Sequence, residues 1–149
     1  MKEKVKGLNI PNKLIELINR KDEIFHLENF SLAFPFLTFP INFLESIEEI
    51  KGISEDNYLL NEDFWGIKSS QSKGKYIDLP WLDYDKSLFI AINKFPGEDL
   101  AIALDYRLNE NQPRVVASDF NEKYPHCEWH VIAKSFDDLL EKLHFSPSP

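Results

Sequence analysis

The sequence predicts an α+β domain in which flanking helices cover a central sheet that is mainly antiparallel or mixed. The chain has 149 residues, 43% of them hydrophobic, which suits one domain with a substantial core. Its second half contains short strand patterns with short connections, and these favour antiparallel pairing. Its last apolar segment has helical periodicity. We interpret residues 1–149 as one domain, with N-terminal helices and an aromatic-rich segment in residues 1–75 and the sheet with a C-terminal helix in residues 76–145.

The N-terminal half contains two predicted helices with an aromatic segment between them. Pro11 suits the first turn of a helix, and the apolar residues after it extend that helix to about Arg20. Aromatic residues and prolines are frequent in Phe30–Phe43, which indicates a short extended segment packed in the core. The apolar spacing in Phe43–Ile50 then predicts a helix, and Gly52 is placed to end it.

The C-terminal half is dominated by strand patterns. It follows the polar stretch Ser69–Gly74, which predicts a mobile loop. Pro96 and Gly97 suit a tight turn between two strands, because proline fixes one backbone angle and glycine accepts a positive φ. The predicted strands are, in chain order, Tyr76–Ile77, Leu88–Ile92, Asp99–Tyr106, Arg114–Ala117 and Trp129–Ala133.

The final helix has the clearest local pattern in the chain. Ser135 is an expected N-cap, and Asp138, three residues later, completes a pattern that resembles a capping box. The apolar residues after the cap follow i, i+3, i+4 and i+7 spacing, so the helix is expected to pack on the sheet. They are Phe136, Leu139, Leu140 and Leu143.

Composition restricts the classes of partner and the cellular compartment. Seventeen basic and twenty-five acidic residues give a net charge of −8, which disfavours nucleic acid and suits a basic protein partner. The most apolar window, Ser31–Phe43, is too short to cross a membrane. A single cysteine, Cys127, and the lack of a recognisable signal peptide indicate a cytoplasmic protein. No sequence motif indicates a cofactor.

The segment His126-Cys-Glu-Trp-His130 contains metal-ligating residue types. Its order differs from the H-E-x-x-H motif, and the residues around it predict a loop that enters a strand rather than a helix. We therefore expect no metal site and no Cys–His nucleophile here, and interpret Trp129 as an anchor in the core.

Two groups of residues are candidates for contact with a partner. Trp81, Asp83 and Asp85 alternate aromatic rings and acids, as an exposed strand or turn would present them. The alternative is that this segment lines the rim of the core. Glu98 and Asp99 follow the predicted Pro96–Gly97 turn and are expected to be exposed.

Asp105 is the strongest candidate for an acid–base group, because it ends a strand that is apolar on both faces. A carboxylate that is desolvated there would have a raised pKa. Arg107 and Arg114 are close enough in sequence to reach Asp105 across a hairpin, and such pairing would keep the carboxylate ionised. We therefore predict a structural ion pair of Asp105, Arg107 and Arg114, and no catalytic residue.

The chain also resembles a known family. Trp81, IAINKFPGEDLAIALDYR (Ile90–Arg107), PRVV (Pro113–Val116), Trp129 and IAKSFDDLLEKL (Ile132–Leu143) resemble the SMI1/KNR4 family of the SUKH superfamily. The resemblance covers roughly residues 76–143. In the first half, Ile10-Pro11 resembles the Leu-Pro that begins the family's first helix, but the Asn-Gly-Gly that often follows this helix is missing.

The resemblance implies a single α+β domain without enzymatic activity. Many bacterial members are immunity proteins that bind and block a polymorphic toxin, often a nuclease, while fungal relatives regulate cell-wall synthesis and signalling. The expected function is therefore neutralisation of a basic toxin domain. A regulatory interaction module is the alternative, and a small enzyme that uses Asp105 is a lesser one.

Overall fold

A computed structural model describes residues 3–20, 41–56, 60, 66–93, 100–121 and 126–143 of the chain. Its strands are β1 (Lys4–Val5), β2 (Leu8–Asn9), β3 (Ile41–Phe43), β4 (Ile67–Lys68), β5 (Leu82–Asp83), β6 (Ser87–Asn93), β7 (Ala101–Asp105), β8 (Arg114–Asn121) and β9 (His126–Ala133). Its helices are α1 (Asn12–Arg20), α2 (Ile47–Ser54), α3 (Ser70–Lys73) and α4 (Phe136–Lys142), and a 3₁₀ helix spans Tyr84–Lys86.

A five-stranded antiparallel sheet in the order β3-β6-β7-β8-β9 forms the centre of the fold. All five residues of β7 are buried, so both faces of the sheet are covered at its middle strand. Helix α2 packs on β6, and α4 packs on β8 and β9. The α+β class predicted from the sequence is confirmed.

Helix α4 forms as its sequence pattern predicts. The Ser135 hydroxyl accepts a hydrogen bond from the backbone N–H of Asp138 at 3.1 Å, and the Asp138 carboxylate accepts one from the N–H of Lys134 at 3.0 Å. The first bond satisfies a donor in the first turn of the helix, and the second holds the residue that precedes the N-cap. All four residues of the apolar stripe are buried, and each contributes about 1.5–3 kcal/mol through burial.

The second helix differs from its predicted position. Phe43 belongs to β3, where it pairs with Ala91, and α2 begins only at Ile47. The reason is an N-cap that the apolar spacing obscured: Ser46 accepts from the N–H of Glu49, and the Glu49 carboxylate accepts from the N–H of Glu45, one residue before the cap. Gly52 lies inside the helix and does not end it.

Two further predictions in the middle of the chain were wrong. The stretch Ser69–Gly74 contains α3 and is not a loop, because two downstream carboxylates accept hydrogen bonds from its first turn. Gly74, with a φ of +68°, follows this helix directly. Tyr76–Ile77 is not a strand.

The last two strands are longer than the apolar residues alone indicated. Strand β8 continues to Asn121 and β9 begins at His126, because polar residues such as Asp119 and Glu128 extend the pairing beyond the core. The predicted extended segment between Phe30 and Pro40 and the Pro96–Gly97 turn lie outside the described residues. Among the helices in the described ranges, none has the length and apolar character needed to cross a membrane.

Candidate functional site

The predicted ion pair around Asp105 is present. The Asp105 side chain is fully buried, and its two oxygens accept from Nε and Nη2 of Arg107 at 2.8 and 2.9 Å and from Nε of Arg114 at 2.8 Å. The backbone N–H of Arg107 donates to the same carboxylate at 3.1 Å. The register explains the arrangement, because Asp105 on β7 lies directly opposite Arg114 on β8.

The electrostatics of this cluster suit a permanent ion. Burial alone would raise the pKa of Asp105, but hydrogen bonds and the charge of Arg107, together with the bond from Arg114, outweigh it and leave the pKa below its ordinary value. A carboxylate held in its ionised form is a poor proton donor, and its two oxygens are already engaged. The geometry therefore disfavours acid–base chemistry at Asp105.

Arg107 also joins the sheet to the segment that carries Trp81. Its Nη1 donates to the carbonyl oxygens of Ile77 and Trp81, both at 2.8 Å. The Trp81 side chain is half-buried, and the Nζ of Lys68 lies 4.0 Å from its ring centroid, a cation–π distance. Trp81 thus lies at the rim of the core, with its backbone held by Arg107 and Lys68 over its ring.

Asp83 and Asp85, predicted as partner-contacting residues, hold the first turn of α3. Asp83 is 2% exposed, and its Oδ1 accepts from the N–H of Asp85 at 3.0 Å and weakly from that of Ser70 at 3.4 Å. Asp85 is half-buried, and its Oδ2 accepts from the Ser69 hydroxyl at 2.6 Å and the Gln71 N–H at 2.9 Å. Burial removes Asp83 from any contact surface, whereas Asp85 remains accessible in part.

A cationic side chain lies beside these acids. Lys6 and Gly7 form the turn between β1 and β2, with φ of 54° and 75°, the combination that a two-residue hairpin turn requires. The turn directs the Lys6 Nζ to a point 4.0 Å from the ring centroid of Tyr84, where it donates to the Tyr84 carbonyl oxygen. Burial lowers the pKa of Lys6 to about 8, against the opposing charges of Asp85, Glu55 and Asp83.

Glu55, Asp56 and Asp85 all lie near enough to Tyr84 for their charges to act on its hydroxyl, and we call these three residues the acidic patch. Burial raises the pKa of Tyr84, and the charges of all three patch residues raise it further. Glu55 and Asp56 follow α2 and are exposed. Sequence patterns do not indicate this patch, because Asp85 lies about 30 residues after the adjacent Glu55 and Asp56.

A groove of about 540 Å³ lies next to the acidic patch, and Asp85 contributes to both. Tyr76, 61% exposed, lines the groove, and so do Lys86 and Glu110, which form an ion pair at 3.0 Å. Arg107, a member of the buried ion pair, also forms part of the groove lining. An exposed aromatic ring beside a polar concavity is a typical anchor for a protein partner.

Glu98 and Asp99, the other residues predicted to contact a partner, lie outside the described residues. His126 and Cys127 belong to β9 and not to the loop that was predicted before this strand. Trp129 is buried as predicted, with its ring centroid 6.0 Å from that of Phe89. Comparisons of the chain with protein-family models, curated proteins and solved structures give no match.

Proposed function

We propose that this chain is a non-enzymatic, cytoplasmic immunity protein that binds and neutralises a basic toxin domain, such as a nuclease. The acidic patch carries the proposal, because it concentrates negative charge of a strongly acidic chain beside a groove with an exposed tyrosine. The resemblance of residues 76–143 to SMI1/KNR4 proteins supplies the class of partner, and the single cysteine is in keeping with a reducing compartment.

The patch suits a basic partner for a physical reason. Glu55 and Asp56 are exposed, and together with Asp85 they outweigh the charge of Lys6, which is half-buried beside them. Complementary charge mainly accelerates association, and affinity then depends on a few well-packed anchors. Among the described residues, Tyr76 offers an exposed aromatic ring for that role, since it lines the groove that shares Asp85 with the patch.

The arrangement of Asp105 supports binding rather than catalysis. Asp105, the strongest acid–base candidate in the sequence, forms ion pairs with Arg107 and Arg114, and its pKa is lowered. Asp83 and Asp85 are likewise occupied by hydrogen bonds to the start of α3. These acids act as structural supports for the groove and the patch.

The proposal is tested with the toxin domains encoded beside the gene for this chain. Each candidate is expressed alone and together with this chain, and cell growth and formation of a purified complex are measured. We expect one toxin to be neutralised and to form a stoichiometric complex. If none is bound or neutralised, the immunity function is wrong. A stable complex with a host protein, unaffected by any toxin, would instead favour a regulatory interaction module.

A further inference from the structure

A group of metal-ligating side chains lies at the outer end of the β8–β9 pair, outside the surface described above. The register places Asp119 directly opposite Glu128, and His130 follows two residues later on β9, opposite Ala117. Alternate residues of a strand share one face, so Glu128 and His130 project to the same side. The pairing of two adjacent strands thus brings two carboxylates and an imidazole together.

The distances between these groups suit a single ion. One ligating atom from each of the three residues lies within 4.8 Å of the others, and His130 Nε2 is 3.0 Å from Asp119 Oδ2. Ligand atoms of a bound Zn²⁺ lie about 2.0–2.2 Å from the metal, and hence roughly 3–4 Å from one another. Small rotations of side chains that are partly exposed, 32% for Asp119 and 43% for His130, reach this geometry.

Asp119 provides a second observation. Its Oδ2 contacts His130, while its Oδ1 is buried and has no hydrogen-bond partner within the described part of the chain. A buried carboxylate oxygen without a donor is costly, and a cation bound by both oxygens would satisfy it. A simple His–Asp ion pair accounts for Oδ2 alone.

We propose that Asp119, Glu128 and His130 bind a divalent first-row transition-metal ion. One imidazole nitrogen with carboxylate oxygens suits Zn²⁺, Mn²⁺ or Fe²⁺ better than Ca²⁺ or Mg²⁺, which prefer oxygen ligands alone. Three protein ligands and partial exposure leave coordination positions for water. This describes an exchangeable site rather than a closed structural one, and the site does not depend on the toxin-binding function.

The test is calorimetric titration of the untagged, metal-free full chain with Zn²⁺ and, separately, Mn²⁺. We expect one ion per chain, an increase in the melting temperature, and reversal of both by a chelator. His130→Ala and Glu128→Gln are expected to weaken binding at least about tenfold while the far-ultraviolet circular dichroism stays that of the wild type. Cys127→Ser is the control, because a thiolate is a competing zinc ligand on the same strand.

Three results would overturn the proposal. The first is that the wild-type chain binds neither Zn²⁺ nor Mn²⁺, and the second is that the His130 and Glu128 variants bind as tightly as the wild type. The third is that Cys127→Ser abolishes binding while the other two variants do not. In the last case the ion is held by the thiolate and not by the three proposed ligands.

Discussion

Replacing Asp105 by Asn tests how far the buried ion pair maintains the fold. The substitution preserves shape but removes the negative charge that faces Arg107 and Arg114. It also places an amide NH₂ group, which can only donate, against guanidinium groups that also only donate. The Arg107 side chain is 1% exposed, so its charge would remain buried without its counter-ion.

The expected cost follows from those contacts. The carboxylate accepts four hydrogen bonds, all from Arg107 or Arg114, and the amide oxygen that replaces it can retain only some of them. Each bond lost to a charged group costs about 1.5–3 kcal/mol, and breaking a buried ion pair from one side costs about 3–5 kcal/mol in total. We therefore expect the free energy of unfolding to fall by about 3–5 kcal/mol, a large part of the stability of a domain.

Urea denaturation followed by tryptophan fluorescence measures this loss. With a slope of about 2 kcal/mol per molar urea, the midpoint is expected to fall by about 2 M. Glu110→Gln is the matched control, because it breaks the exposed Lys86–Glu110 pair and is expected to cost less than about 1 kcal/mol. If Asp105→Asn costs no more than the control, the ion pair does not support the fold as we argue.

Four further predictions concern pH and the helices. Because the pKa of Asp105 is lowered in the folded chain, its stabilising contribution is present above the unfolded pKa of about 3.9 and is lost as the pH falls through the folded value. The difference in free energy of unfolding between wild type and Asp105→Asn, measured by urea denaturation, should therefore shrink below about pH 3. A difference that stays constant with pH would contradict the lowered pKa. The pKa of Lys6 is about 8 in the folded chain and 10.5 ordinarily, so between these values the folded state binds fewer protons than the unfolded state. The contribution of Lys6 to stability therefore rises with pH in this range. Lys6→Met should remove this part of the change in urea midpoint between about pH 7.5 and about pH 9.5, and an unaltered change would argue against a desolvated lysine. Ser135→Ala should lower the free energy of unfolding by about 1 kcal/mol, because it removes the N-cap of α4. Ser135→Asp should largely retain the wild-type stability, since Asp also caps a helix. Equal losses in both variants would show that the lost stability does not come from the cap. Leu139→Ala should cost about 2–5 kcal/mol by the same assay, because Leu139 is fully buried where α4 packs on the sheet, and a loss below about 1 kcal/mol would contradict that packing.

The sequence predicted those elements whose signals are local. Ser135 and the apolar stripe after it were sufficient for α4, and the apolar residues of β6 and β7 were sufficient for two central strands. Asp105 could be paired with Arg107 and Arg114 because all three lie within ten residues of one another. A hairpin makes such near neighbours into contacts.

The remaining features depend on contacts between distant parts of the chain. Helix α3 has little helical pattern of its own and is capped by Asp83 and Asp85, which come more than ten residues later. The acidic patch combines the end of α2 with the 3₁₀ helix after β5, and Lys6 reaches it from the first hairpin. Local periodicity carries no information about such long-range contacts. Asp83, predicted as a contact residue, is buried instead, and Asp85 both holds α3 and remains partly exposed.

The most direct test of the proposed function is titration of the toxin's activity with this chain and with two charge-reversed variants. One variant combines Glu55→Lys and Asp56→Lys in the acidic patch, and the matched control combines Glu16→Lys and Glu141→Lys on α1 and α4. We predict that wild type and control neutralise the toxin at a ratio of one to one. The patch variant should associate at least about tenfold more slowly at low salt, with less difference at high salt. Equal association by all three proteins would exclude the acidic patch as the contact surface, and failure of the wild type to neutralise any toxin would contradict the immunity function itself.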